Sequence, residues 1–134
     1  MPGKLRHVAL ATHDMEKTAS FYEEAFGMQR VRQSDVAIML SDGVVSLAIL
    51  DLSRNDNAPD ARGSDFTGIH HLGFLVDDMD GACKELDAAG GEYHGQVKNV
   101  GKGKDFERKY RGPDGVVFDV AIPDHARSSW RLDV

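Results

Sequence analysis

The sequence predicts an α+β fold in which two βαβββ modules form one curved mixed sheet around a cavity. Three observations carry this prediction. The segment His7-Val-Ala-Leu-Ala-Thr-His13-Asp14-Met15-Glu16 is echoed by His71-Leu-Gly-Phe-Leu-Val-Asp77-Asp78-Met79-Asp80, and the same interval separates His7 from His71 and Asp14 from Asp78. In each copy an apolar, alternating stretch gives way to helical spacing just after an aspartate. Each helical stretch is followed by short strand-like runs punctuated by Gly, Asp and Pro.

Residues 5–12 form the first predicted strand, with Leu5, His7, Ala9 and Ala11 on one face and Val8, Leu10 and Thr12 on the other. Asp14 offers its carboxylate as the N-cap of the first helix. Met15, Ala19, Tyr22 and Phe26 make a single apolar stripe, and Gly27 ends the helix by tolerating positive φ. Residues 30–40 read as two short strands, Ser41-Asp42-Gly43 as a tight turn and residues 44–50 as the fourth strand. The first module therefore spans 4–51. A linker over 52–67 is rich in Asp, Asn, Arg, Pro, Ser and Gly. It reads as a plain connector, with a flap over a site as the second reading.

The second module spans 68–122. Residues 69–77 form a strand with Ile69, His71, Gly73 and Leu75 on one face and His70, Leu72, Phe74 and Val76 on the other. Asp78 caps a helix whose stripe is Met79, Ala82, Cys83, Leu86 and Ala89, and Gly90-Gly91 stops it. Strands follow at 92–98, 105–111 and 116–122, the last two joined by a turn at Pro113-Asp114-Gly115. The tail over 123–134 reads as polar around Trp130, either fraying or docking on a partner chain.

A sheet with helices on one face leaves its other face open, and two such sheets joined would line a cavity with the His7 and His71 faces. The opposite faces carry the bulky apolar residues and belong under the helices. Ala9, Ala11 and Gly73 are small and leave room beside the histidines.

At 134 residues and 41% hydrophobic, the chain suits one domain with a real core. The net charge of −6 argues against nucleic acid or an anionic membrane surface as partner. The basic run over 98–111 reads as a solvated loop and strand, since only Phe106 and Tyr110 accompany it. Cys83 is the single cysteine, so no intrachain disulfide forms and the reducing cytoplasm is the expected location. Its place on the helical stripe makes it packing rather than a nucleophile. No apolar run approaches the roughly 20 residues of a membrane helix, and the first residues lack a signal-peptide core.

The chemistry centres on three side chains. A single strand histidine usually serves packing, but His7 and His71 stand at matching places of a repeated module. In the last strand Val117, Asp119 and Ala121 share a face, which points Asp119 toward the same cavity. An acid amid apolar neighbours is costly unless paired, hydrogen-bonded or bound to a metal. Two imidazoles and one carboxylate make a three-ligand set with open positions for Fe, Mn, Ni or Zn. A buried polar cluster without metal is the alternative. Glu107, Lys109 and Arg111 alternate and share a face, as acid–base or anion-binding groups if it faces the cavity, as an exposed charge ladder if not. Tyr110 reads as a proton donor to a substrate oxygen or as a packed strand residue. His70 falls on the helix side, and His13, His94 and His125 are expected in solvent. No Gly-x-Ser-x-Gly nucleophile motif is present, and Gly101-Lys-Gly-Lys lacks the helix a phosphate loop needs.

The segments His-Val-Ala-Leu, Asp-Met, Phe-Tyr and Phe-Gly-Met between His7 and Met28, His-Leu-Gly-Phe and Val-Asp-Asp between His71 and Asp78, and Gly-Pro-Asp-Gly-Val-Val-Phe-Asp from Gly112 to Asp119 resemble the vicinal oxygen chelate superfamily. That group includes glyoxalase I, bleomycin-resistance proteins, methylmalonyl-CoA epimerase and extradiol dioxygenases. The resemblance covers roughly residues 5–122 and implies the glyoxalase/bleomycin resistance/dioxygenase fold. It also implies that His7, His71 and Asp119 hold a divalent metal. Members usually carry Glu where Asp119 stands. Glyoxalase-like members add an acid in the first module's last strand, where this chain has Ser46, Leu47 or Ala48. Dioxygenase members carry a further His before the final hairpin, absent between Lys102 and Tyr110.

The expectation is a metal-dependent enzyme that chelates neighbouring oxygens of a small-molecule substrate, as a lyase, isomerase or dioxygenase, with Tyr110 and Glu107 as candidate catalytic groups. The alternative is a metal-free binding protein of the bleomycin-resistance type. The resemblance also implies a homodimer, with modules paired within or between chains.

Overall fold

The structure is a computed structural model that describes residues 3–54, 62–95 and 107–134. Expected features at linker positions 55–61, at strand positions 96–98 and 105–106, and in the basic run over 98–106 lie outside the described residues.

The first module follows from its local chemistry. Strand β1 (Lys4–Ala11) leads into α1 (Met15–Phe26) through Asp14, whose side chain accepts a hydrogen bond from the Lys17 N–H at 3.0 Å. Gly27 closes the helix in the left-handed region at φ 69°, its N–H donating to the Glu23 carbonyl. Strands β2 (Gln29–Gln33), β3 (Ala37–Ser41) and β4 (Ser46–Leu50) follow. Ala19 is fully buried, and Met15 and Tyr22 pack with it against Ile38, Leu40 and Ile49. Phe26, expected on this stripe, is 72% exposed. It holds the last helical position before the Gly27 cap and contacts Tyr22 rather than the sheet.

The second module repeats the plan with β5 (Gly68–Leu75), α2 (Met79–Ala88), β6 (Glu92–Gly95), β7 (Glu107–Arg111) and β8 (Val117–Ala121). Met79, Ala82 and Cys83 are buried and pack with Val76, Tyr110 and Val120. Asp78 stands at the N-cap but makes no side-chain capping bond. Its carboxylate leans over Gly81, where a Cβ would lie 2.6 Å from Oδ2. Ala89 lies past the helix and is exposed rather than part of the stripe.

The strands form one curved, mixed sheet in the order β2-β3-β4-β1-β5-β8-β7-β6. The modules join through the antiparallel pair β1–β5, so they meet within a single chain. This ladder has a bulge. Ala9 opposes His71 and Leu10 opposes Ile69, which leaves His70 unmatched.

Both helices cover one face of the sheet. A cavity of about 490 Å³ opens on that side, lined by Leu72, Phe74, Val76, Leu86, Phe118 and Val120 among others. The other face carries the core formed by Ala9, Ala48, Leu50, Leu75 and Ala121 with Ala126, Trp130 and Leu132. The tail is therefore neither frayed nor polar in its packing. It forms α3 (Pro123–Ser128), and Trp130 and Leu132 insert their side chains into the apolar face. Among the described residues no helix is long and apolar enough to cross a membrane.

Candidate metal centre

Strand register brings the three predicted side chains together. His7 on β1 opposes Gly73 on β5, Gly73 opposes Asp119 on β8, and His71 sits one inward-facing place along from Gly73. Gly73 is what makes room. A Cβ there would lie 2.6 Å from the His7 Cβ and 3.0 Å from the Trp130 ring. His7, His71 and Asp119 are all buried, and one nitrogen of each ring and one carboxylate oxygen lie within 4.8 Å of one another.

The carboxylate divides its oxygens. Asp119 Oδ2 faces His71 Nε2 at 3.1 Å and His7 Nε2 at 3.9 Å. Oδ1 accepts a hydrogen bond from Lys109 Nζ. Lys109 lies 3.7 Å from Glu107 Oε1, and Glu107 Oε2 pairs with His125 Nε2 at 2.8 Å. A buried chain of paired polar side chains thus runs from the histidines to α3. The rear of each imidazole is also held. His7 Nδ1 is 3.1 Å from Ser46 Oγ, and His71 Nδ1 is 2.8 Å from His70 Nδ1.

Electrostatics favour, at His7 and Asp119, the protonation states a cation needs. Burial first, then the neighbouring His71, holds His7 well below its usual range, so its ring stays neutral. Burial opposes ionisation of Asp119, but His71, Lys109 and His7 outweigh it and hold the carboxyl well below its usual range. Burial pulls Lys109 down, yet Asp119 and Glu107 more than offset this, and its ammonium is raised. The neutral ring of His7, the imidazole of His71 and an ionised carboxylate oxygen, each ring braced behind by a hydrogen bond, offer the donor types that a divalent first-row metal takes.

Other expectations are placed differently. Tyr110 packs under α2 with Val76, Met79 and Cys83, on the opposite face of the sheet from Asp119. Alternation explains this, since its neighbour Lys109 takes the inward place opposite Asp119. Burial and Cys83 raise the Tyr110 hydroxyl above its usual range, which also opposes a proton-transfer role. Glu107 does face inward and is buried, so the charge-ladder reading fails for Glu107 and Lys109. Cys83 is buried packing, as expected. His70 is buried against His71 rather than lying under a helix, because the bulge turns it. His125 is buried on Glu107, not solvated. The alternation of Glu107, Lys109 and Arg111 had offered Lys109 as a cavity-facing group, whereas His70, His125 and Trp130 were not expected at the site.

A curved sheet of two joined βαβββ modules, with a buried His, His, carboxylate cluster on the face away from the helices, defines a class of duplicated-module proteins. The chain belongs to the Glyoxalase/Bleomycin resistance protein/Dioxygenase superfamily, whose family model matches residues 4–120. It is 25% identical over 125 residues to a probable lactoylglutathione lyase of Vibrio parahaemolyticus serotype O3:K6, covering 88% of this chain and 89% of that protein. Among solved structures, a hypothetical protein of Bacillus halodurans C-125 superposes with TM-score 0.70 at 16% identity, covering 91% of this chain and 95% of the other. Streptomyces coelicolor methylmalonyl-CoA epimerase, a variant in complex with 2-nitronate-propionyl-CoA, superposes with TM-score 0.62 at 21% identity, covering 89% and 93%. These two likenesses show the fold.

Proposed function

We propose that the chain is a divalent-metal-dependent enzyme acting on a small molecule with neighbouring oxygens, of the lyase or isomerase type. One observation carries the reading: three buried donor atoms from three strands converge within 4.8 Å. His7 Nε2, His71 Nε2 and Asp119 Oδ2 would hold the ion. When bound, it supplies Lewis-acid polarisation of substrate oxygens. The chain's own part is to keep His7 neutral and Asp119 ionised and to bury all three side chains. Glu107 is the inward-facing carboxylate left for proton transfer, with Lys109 and His125 setting its position. The relatives named as lactoylglutathione lyase and methylmalonyl-CoA epimerase support lyase or isomerase over dioxygenase chemistry.

A second reading rests on Lys109. Its ammonium already satisfies one Asp119 oxygen, which suits a metal-free binding protein whose cation is built in. Elemental analysis of protein equilibrated with micromolar Fe(II), Mn, Ni and Zn separates the two. The enzyme reading expects close to one ion per chain and none in His7→Ala. Equal ion content in both would favour the binding protein. We further propose a cytoplasmic homodimer, supported by the lone buried cysteine and by the exposed apolar side chains of Phe21, Phe26 and Ile69. Light scattering should give twice the 14.7 kDa chain mass.

A further inference from the structure

Holding an imidazole for a metal poses a problem of proton placement. With the site empty, His71 Nε2 faces a carboxylate oxygen at 3.1 Å, and a carboxylate only accepts, so Nε2 must carry the hydrogen. With an ion present, Nε2 must offer its lone pair, so the hydrogen moves to Nδ1. A partner behind the ring that only accepts, such as a carbonyl, suits the second state and opposes the first. The rear nitrogens of the two histidines meet partners of another kind. His71 Nδ1 meets His70 Nδ1 at 2.8 Å, and His7 Nδ1 meets Ser46 Oγ at 3.1 Å. A second imidazole nitrogen and a hydroxyl each donate or accept equally well.

The backbone is bent to provide the His70 contact. Regular alternation would send His70 to the helix side, away from His71. The bulge between the Ala9–His71 and Leu10–Ile69 pairs puts both imidazoles into buried space with their rings 5.1 Å apart and nearly perpendicular. Perpendicular rings let one N–H point along the other's in-plane lone pair. The Phe66 ring stands 6.3 Å from that of His70, tilted by 52°. His70 is not itself one of the three converging donors.

We propose that His70 is a positioning residue for His71: through an Nδ1–Nδ1 hydrogen bond that works in either direction, it fixes the His71 ring both when the site is empty and when it is loaded. The proposal rests on the metal reading of the His7, His71 and Asp119 cluster. It predicts that the site is assembled before the ion arrives, with Ser46 doing the same for His7. Loss of such a partner lowers metal affinity by roughly 10- to 100-fold.

The test compares wild type with His70→Ala, His70→Asn and His70→Leu, using Co²⁺ as probe. Asn keeps a group that donates or accepts by turning its amide, while Leu fills the space without one. Co²⁺ affinity should fall about 10- to 100-fold in the Ala and Leu variants and return to within a few-fold of wild type in Asn. The Co²⁺ absorption bands should shift in Ala and Leu alone. Equal affinity and spectra in wild type and Leu would overturn the proposal. If wild type binds no Co²⁺, the metal reading fails, and nitrogen-15 spectra of the rings then decide the positioning. His71 should show Nε2–H with its Nδ1 accepting in the native protein, and a ring averaged between both tautomers would overturn it.

Discussion

Trp130 lies flat on His7, with ring centroids 4.7 Å apart and planes 2° from parallel. The indole is 1% exposed and belongs to the apolar cluster on the face away from α1 and α2. The C-terminal segment is thereby part of the site's wall, and the imidazole is clamped between a hydrogen bond to Ser46 and an aromatic face.

Trp130 is the only tryptophan in the chain, so its emission reports on the site directly. Trp130→Ala should lower stability by about 3–5 kcal/mol, the range for emptying a buried aromatic position, read by denaturant unfolding. In wild type, Co²⁺ or Ni²⁺ should quench this emission to saturation at one ion per chain. In His7→Ala the quench should vanish.

Lys109 should govern how much folding depends on metal. Lys109→Met leaves Asp119 and Glu107 buried without their shared cation, which costs about 3–5 kcal/mol in metal-free protein. A divalent ion then restores part of that charge balance. Added Zn²⁺ should raise the thermal midpoint of Lys109→Met more than that of wild type. An equal rise in both would place Lys109 outside the centre's electrostatics.

Stability should fall as the solution is acidified. His7 is held neutral below its usual range, so the unfolded chain binds the proton that the native protein refuses. That makes the free energy of unfolding rise with pH: the contribution is full above about pH 6.5 and is lost as pH drops toward the native value. Asp119 acts in the same direction lower down. Its folded value is depressed, so its contribution is present above about pH 4 and is lost on further acidification. Urea unfolding between pH 7 and pH 5 should show the decline in wild type and a flatter profile in His7→Asn.

The His125–Glu107 pair should tie α3 to the sheet. In His125→Leu the amides of residues 123–128 should exchange hydrogen faster, while those of β1 and β5 keep their protection. Uniform loss of protection would instead indicate a global effect.

Much of this arrangement was legible in the chain. The repeat of His7 at His71 and strict alternation in Val117–Ala121 were enough to aim two imidazoles and Asp119 at one face, because side-chain direction in a strand has period two. The same rule misplaced His70, since a bulge adds one residue and no residue type announces it. Tyr110 and Lys109 are adjacent, and which of them faces inward depends on pairing with β8 rather than on either side chain. The tail failed for another reason. Trp130, Leu132 and Ala126 are too widely spaced to read as a stripe, and they are buried because they pack on Ala9, Ala48, Leu50, Leu75 and Ala121 of the sheet.

The proposed metal centre places one ion among the donors of His7, His71 and Asp119. Anomalous diffraction from crystals grown with Ni²⁺ or Zn²⁺, recorded on both sides of the metal's absorption edge, tests it most directly. A single strong peak is expected about 2.0–2.2 Å from His7 Nε2, His71 Nε2 and Asp119 Oδ2, with Lys109 still on Oδ1. A blank map at that position, with peaks confined to surface histidines such as His13, would contradict it.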